Sequence, residues 1–320
     1  MTASTKQVLA ERIHDRRVPD FFIVGQHKSG TTALYEMLRR HPQIYMPDLK
    51  EPRFFASDLR DLLQPAPGTA PETLEAYLSL FDAATEGQRI GEASPSYLRS
   101  RTAAGAIAAA QPGARIIAIL REPASFLRSL HLHLLQEGVE TQQDFRTAVI
   151  NEEVVRAGRR VHRYTDHLDY VEQLRRYHAV FPREQVLVII YDDFRRDNEA
   201  TLRSVLRFLE VDDTGPLEVL EANPTARLRS GRLAQFSRRF LAGRGPVSRP
   251  VMALARTLAS ARMRKGLLRP LRRRLLQAEP PAPDVEFMLE LRRRFKGEVV
   301  ALSEYLGRDL VSLWGYDEVG

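Results

Sequence analysis

An α/β protein built on a central parallel sheet is the fold class that three observations predict. Short apolar runs rich in branched and aromatic residues recur at Phe21–Val24, Ala114–Leu120 and Val186–Tyr191. Stretches of helical periodicity separate them, and Gly, Pro or charged residues close each run. Apart from Arg115 the runs are continuously apolar rather than alternating, as expected of parallel strands covered on both faces, so a three-layer sandwich follows. Ligands of such sheets sit outside the carboxyl ends of the strands. The loops beginning at Gly25, Glu92, Arg121 and Asp192 would all open on that edge.

Taken in order, residues 1–17 form a polar, charged arm with no apolar core of signal-peptide length. The first strand, Phe21–Val24, stops at Gly25. Gly30 suits a tight turn and close approach of a bound group. Thr31 or Thr32 can cap a helix carrying Ala33, Leu34, Met37 and Leu38 on its apolar side. His41-Pro42 ends that helix, and Gln43–Met46 suits a short strand. Pro52 disfavours helix at Glu51, so Lys50–Phe55 reads as a loop with its aromatic pair turned inward. The Pro/Gly/Ala-rich run from Pro65 to Pro71 reads as a surface loop, and Glu72–Phe81 has helical periodicity.

Arg89–Leu98 reads as a short strand running into a loop. An Ala-rich helix follows and ends at Gln111-Pro112-Gly113. Ala114–Leu120 is the clearest buried strand. Pro123, after Arg121-Glu122, suits the first turn of a helix reaching about Gln136. Thr165–Phe181 is amphipathic, and Val186–Tyr191 leads through Asp192-Asp193 to a helix over about 198–209. These pieces predict a nucleotide-binding core over 18–215, a basic helical segment over 225–280, and a C-terminal helix and tail over 284–316 packing on the core.

Composition narrows the chemistry. The chain of 320 residues is 43% hydrophobic, enough for one large domain. It has no Cys, which excludes disulfides and thiol catalysis. Its eight His show no H-E-x-x-H spacing, so no zinc site is expected. No run approaches the length of a spanning helix, and a cytoplasmic location is the expectation. The net charge is +7, which favours anionic partners or surfaces. No acid falls between Glu221 and Glu279. The 226–278 segment reads either as a solvated basic face or as a lid that meets an anionic or lipid-linked acceptor at a membrane surface. No nucleic-acid module accompanies the charge.

The chemistry-bearing pattern begins with Gly25-x-x-Lys28-Ser29-Gly30-Thr31-Thr32. A strand, a Gly-containing loop with a Lys and a helix start make an anion site, because free N–H groups and the positive helix end converge. The nucleotide-kinase loop places its Lys directly after the last Gly; here Lys28 precedes Gly30. The arrangement resembles instead the 5′-phosphosulfate loop, G-x-x-K-[ST]-G-T-[ST], of sulfotransferases that use 3′-phosphoadenosine 5′-phosphosulfate (PAPS). Arg121 and Ser129, eight positions later, resemble the family's pair for the 3′-phosphate. Lys50-Glu51-Pro52-Arg53-Phe54-Phe55 is similar to the E-P-H-F-F segment of heparan-sulfate-type and bacterial members. Gly91-Glu92-Ala93-Ser94-Pro95-Ser96-Tyr97 is similar to their G-E-K-[ST]-P-x-Y loop. Arg53 stands where the family has His, and Ala93 where the heparan-sulfate enzymes have a Lys that helps at the reaction centre.

The resemblance spans 20–210 and 284–316 and leaves 225–280 unexplained. It implies that Lys28, Ser29, Gly30, Thr31, Thr32, Arg121 and Ser129 hold PAPS, with no metal. Lys28 would also stabilise the leaving group, and Glu51 would be the base. Glu51 can equally be a structural carboxylate paired with Lys50 or Arg53; His27 or His133 is then the next candidate base. Arg53, Phe54, Ser94, Tyr97 and His133 are the candidate acceptor contacts, for a small-molecule, sugar or lipid acceptor. Tyr164-x-x-His167-Leu168 also resembles a family stretch, or is simply a helix start with half-buried aromatics. Two other functions remain open: a P-loop kinase, and a non-catalytic protein binding polyanions or membranes.

Overall fold

The structure is a computed structural model that describes residues 17–60, 70–156, 159–220, 227–228, 277–278 and 282–320. Residues 1–16 of the predicted arm, most of the Pro-rich loop, and nearly all of the basic segment lie outside the described residues.

Apolar runs become strands where predicted: β1 (Phe21–Gly25), β2 (Ile44–Tyr45), β3 (Arg89–Ala93) and β4 (Arg115–Leu120). Hydrogen bonding orders β2-β3-β1-β4 with a fifth strand, Val186–Ile190, beside β4, and every pairing is parallel. A two-stranded antiparallel hairpin, β5 (Glu153–Arg156) and β6 (Arg159–Arg163), lies outside this sheet, so Val186–Ile190 is β7.

The helices in chain order are α1 (Thr31–Leu38), α2 (Leu74–Leu78), α3 (Ala103–Ala110), α4 (Pro123–Glu137), α5 (Phe145–Ile150), α6 (Tyr170–His178), α7 (Tyr191–Arg196), α8 (Asn198–Phe208), α9 (Val285–Leu306) and α10 (Leu310–Leu313). Side chains of a strand alternate between faces, and each face has its own apolar layer. Phe22, Val24, Ile116, Ala118 and Leu120 join one cluster with α3, α4, α6 and α9; Phe21, Ile23, Ile117 and Ile119 join a second with α1 and α8. This is the three-layer α/β sandwich.

Several boundaries differ from the sequence reading. The Thr165–Phe181 stretch divides into a 3₁₀ turn (Thr165–His167) and α6, and the 72–81 stretch into α2 and a 3₁₀ turn (Ser79–Phe81). Thr31 is the first residue of α1 rather than its cap. Gly30 stands at the cap in the left-handed region, with no side chain bonded to the first turn. Elsewhere side chains do the capping, the Thr73 hydroxyl at α2 and carboxylates at several other helices. Glu122 accepts from the Ala124 and Ser125 amides at the start of α4 (3.0 and 2.6 Å), and Asp284 accepts from Phe287 at the start of α9.

Candidate active site

The loop between β1 and α1 lies across the carboxyl edge of the sheet. Its path is tied to neighbouring strands: the Gln26 amide donates to Ile119 (2.8 Å), and the Ser94 and Leu98 amides donate to Ile23 and Val24 (3.1 and 2.7 Å). Lys28 and Gly30 both take positive φ, 61° and 87°. A Cβ on Gly30 would also come within 2.7 Å of the Phe194 ring. The turn therefore needs glycine there, for conformation and for space. Because no side chain caps α1, its first N–H groups remain open toward the loop.

A cleft of about 260 Å³ faces this helix start, lined by His27, Lys28, Thr31, Thr32, Glu51, Arg121, Ser129, His133 and Tyr191, among others. Gly30 contributes backbone to the wall. Ser29 is wholly buried beneath the loop. Lys28 has no ion-pair partner among the described residues. Burial, with help from Arg121 and Lys50, lowers its pKa, and Glu137 partly offsets them.

Arg121 follows β4, and its Nη1 donates to the Lys28 carbonyl at 2.9 Å. The guanidinium carbon lies 4.7 Å from the centroid of the Tyr191 ring at the start of α7. Burial lowers its pKa too. Ser129 and His133 are one turn apart on α4, so both face the cleft. Burial and the neighbouring Lys28 hold the His133 imidazole below its ordinary value.

Glu51 enters from the loop after β2. Its amide donates to Ala93 (3.0 Å), and the Arg53 amide donates to Ser94 Oγ (3.0 Å). Both residues have positive φ, 63° and 58°. Lys50 Nζ donates to Oε1 of Glu51 at 2.8 Å and Arg53 Nη2 to Oε2 at 2.5 Å, while His27 Nε2 stands 4.0 Å from Oε2. Burial alone would raise the Glu51 carboxyl, but Lys50, His27 and Arg53 together hold it well below the carboxylate range. Burial dominates at His27 and holds its imidazole far below its ordinary value, against the field of Glu51.

The sequence-selected residues therefore divide. Lys28, Thr31, Thr32, Glu51, Arg121, Ser129 and His133 share one cleft. Phe54, Ser94 and Tyr97 do not line it. Phe54 stacks on Tyr77 with centroids 4.6 Å apart. Ser94 and Tyr97 are buried, and hold the Arg53 and Phe55 amides through Oγ and the phenol oxygen. They shape the Glu51 loop from behind because both strand-end loops run side by side there. Arg53 stays at the cleft margin through its bond to Glu51. His167 is buried, with its ring centroid 6.1 Å from that of His27, and its carbonyl accepts from Gln26 Nε2 (2.9 Å). Sequence reasoning did not single out Tyr191. Its place at the carboxyl end of the predicted strand Val186–Tyr191 was the available signal.

Among the described residues, no group of three or more His, Asp or Glu side chains is arranged to hold a metal ion. No helix among them is long and apolar enough to cross a membrane.

A doubly wound α/β core with a glycine turn and an uncapped helix start on its carboxyl edge is the class that this geometry defines. A family model described as "Sulfotransferase family" matches residues 19–215, and the chain belongs to that family. It is 26% identical over 259 residues to human carbohydrate sulfotransferase 15, an alignment covering 63% of this chain and 45% of that protein. A segment of 108 residues is 35% identical to human heparan sulfate glucosamine 3-O-sulfotransferase 6, covering 34% and 28% of the two chains. The chain thus spans about half the length or less of these relatives. The crystal structure of a sulfotransferase from Alicyclobacillus acidocaldarius superposes with a TM-score of 0.65 at 25% identity, covering 92% of this chain and 98% of that one.

Proposed function

We propose that this chain transfers a sulfuryl group from PAPS to a hydroxyl or amine of a small-molecule, sugar or lipid acceptor. The observation that supports this reading best is the convergence of Lys28, Thr31, Thr32, Arg121, Ser129 and Glu51 on one cleft. The residues suit a ligand with an anionic group at each end. At one end are the uncapped start of α1, an ammonium without an ion-pair partner among the described residues and a glycine that leaves no room for Cβ. At the other are a guanidinium and a serine hydroxyl.

PAPS, when bound, supplies the activated S–O bond; the remaining work falls to this chain. The N–H groups of Lys28–Thr32 and the threonine hydroxyls hold the 5′-phosphate. Arg121 and Ser129 hold the 3′-phosphate, Arg121 through its planar fork. Lys28 neutralises charge that builds on the leaving oxygen, a preorganised electrostatic contribution of the kind that dominates most catalysis. Glu51 accepts the proton released by the acceptor.

Thermal denaturation with 3′,5′-ADP, or with ATP and Mg²⁺, separates this reading from its rivals. Binding to the native state alone raises stability by about 2.7 kcal/mol at a hundredfold excess over Kd. Stabilisation by 3′,5′-ADP, and a gain of sulfate by acceptors incubated with PAPS, is the expected result. Stabilisation by ATP with Mg²⁺ alone would favour a kinase. Stabilisation by neither would favour a non-catalytic protein.

A further inference from the structure

Positive charge exceeds negative charge around Glu51. Lys50 and Arg53 together already exceed its single charge. Arg99, after the loop that follows β3, adds another cation close enough for Arg99 and Arg53 each to lower the proton affinity of His27. Arg99 has no ion pair among the described residues. Among the described residues its Nε and Nη2 are buried without a hydrogen-bond acceptor, and so is Nε of Arg53. Two acids, Asp166 and Asp58, reach Arg99 only through their fields. Asp58 spends its oxygens elsewhere, on Ser100 Oγ, the Arg101 amide and Thr102 Oγ1 (2.5, 2.8 and 2.9 Å). Three guanidinium nitrogens are thus removed from water with no acceptor among the described residues. A buried charged donor without a partner is costly; Arg163, Arg176 and Arg292 each leave Nε in this state, and among the described residues Arg99 is the guanidinium that leaves two nitrogens so. A ligand that brings the acceptor explains why they remain.

We propose that Arg53 and Arg99 form a receptor for an oxyanion, a carboxylate or a phosphate ester, that the acceptor carries near its nucleophilic hydroxyl or amine. This rests on the sulfotransferase reading of the cleft. Guanidinium groups take such oxyanions through paired, charge-assisted hydrogen bonds. The arrangement also couples recognition to catalysis. An oxyanion arriving on Arg53 competes with Glu51 for the same guanidinium, and Glu51 gains proton affinity as that partner is drawn away. Water brings no oxyanion, so it leaves Glu51 clamped between Lys50 and Arg53. An acceptor of the right class therefore readies its own base.

The test uses the whole chain saturated with 3′,5′-ADP at constant ionic strength. It is titrated calorimetrically with benzoate, phenyl phosphate and their neutral analogue benzamide. At least one anion should bind about tenfold tighter than benzamide, the size expected of a hydrogen-bonded charge. Which anion leads tells a carboxylate receptor from a phosphate receptor. In Arg99→Gln the gap should shrink to about threefold or less. It should persist in Arg183→Gln, which removes a guanidinium stacked on Tyr305 before β7, at the opposite edge of the sheet. Equal binding of anion and benzamide by the wild type, or a gap that survives Arg99→Gln, overturns the proposal. So does a fall of more than about 3 °C in the unliganded melting temperature of Arg99→Gln, because Arg99 would then be a structural counterion of Asp58 and Asp166. Failure of the wild type to bind 3′,5′-ADP is a separate outcome, and it removes the donor reading beneath the proposal.

Discussion

Replacing Glu92 with Gln should remove a pH dependence built into the core. Glu92 is fully buried at the end of β3. Its Oε2 accepts from the phenols of Tyr97 (2.8 Å) and Tyr77 (3.2 Å), and Oε1 has no partner among the described residues. Burial outweighs these donors, and with the charge of Glu51 it pushes the carboxyl from 4.5 to about 7. Below 4.5 the folded and unfolded chains are both protonated. Between 4.5 and about 7 the folded protein keeps a proton that the unfolded chain has released, so stability falls as pH rises through this window. At about 1.36 kcal/mol for each tenfold in proton affinity, the loss amounts to roughly 3 kcal/mol. The amide that Glu92→Gln introduces fixes the neutral form, and its oxygen can keep both phenol bonds. Its NH₂ replaces the unpartnered Oε1, which costs about 1–3 kcal/mol at every pH. Urea unfolding followed by circular dichroism from pH 4.5 to 8 gives the difference between variant and wild type. That difference should move by roughly 3 kcal/mol in favour of the variant as pH rises. His27 and His133, held low by burial, titrate with the opposite sign in both proteins and cancel. A flat difference, or one moving the other way, would refute the reasoning.

The cleft yields four further expectations. Lys28→Ala should lower kcat by about 10²–10³-fold or more, measured by transfer of labelled sulfate. Glu51→Gln should cost about 10²–10⁴-fold in turnover while calorimetry shows 3′,5′-ADP affinity unchanged; near-normal turnover would leave Glu51 a structural carboxylate. Arg121→Lys keeps the charge but loses the fork and the contact with Tyr191, so the preference for 3′,5′-ADP over 5′-AMP should shrink by about tenfold. Gly30→Ala forces a left-handed residue against Phe194. It should destabilise by about 1–3 kcal/mol in urea unfolding and weaken 3′,5′-ADP binding together.

The parts of the fold legible in the sequence are those in which local pattern and tertiary burial agree. Ala114–Leu120 and Val186–Tyr191 read as strands because a parallel sheet buries both faces. Nothing in Glu153–Arg163 signalled the β5–β6 hairpin, since its longest β-branched run, Val154-Val155, is only two residues long and charged residues flank it. The cap of α1 was misread for a related reason. Threonine is the better cap in isolation, but this turn needs a left-handed residue, and only Gly30 supplies one cheaply. The cleft itself was legible through spacing, because Lys28, Arg121 and Ser129 sit at strand ends and on a helix face. Arg99 was not. One arginine in so basic a chain carries no pattern, and its significance lies in the acceptors that folding withholds from it. Ser94 and Tyr97 failed in the opposite sense: motif position brought them to the right loop, and the loop turned them inward.

The C-terminal tail explains why the Arg121 end of the cleft depends on residues far away in sequence. The Tyr316 phenol donates to Glu122 (2.6 Å), the same carboxylate that caps α4 beside Arg121. Trp314 Nε1 donates to Asp192 (2.9 Å), and Arg308 pairs with Asp193 (2.5 Å), both adjoining the Tyr191 ring against which Arg121 lies. From the remaining side, the Tyr170 phenol donates to the Arg121 carbonyl (2.8 Å), and the guanidinium itself donates to Lys28. The guanidinium is therefore held by the β1–α1 loop and the Tyr191 ring and the Arg121 backbone by α6, while the tail holds Glu122, Asp192 and Asp193, the chain neighbours of Arg121 and Tyr191. A flexible arginine would lose much of its gain in ordering itself around a phosphate. One ordered in advance keeps that gain for recognition, so under the proposed PAPS reading the tail would bear on donor binding without touching the cleft.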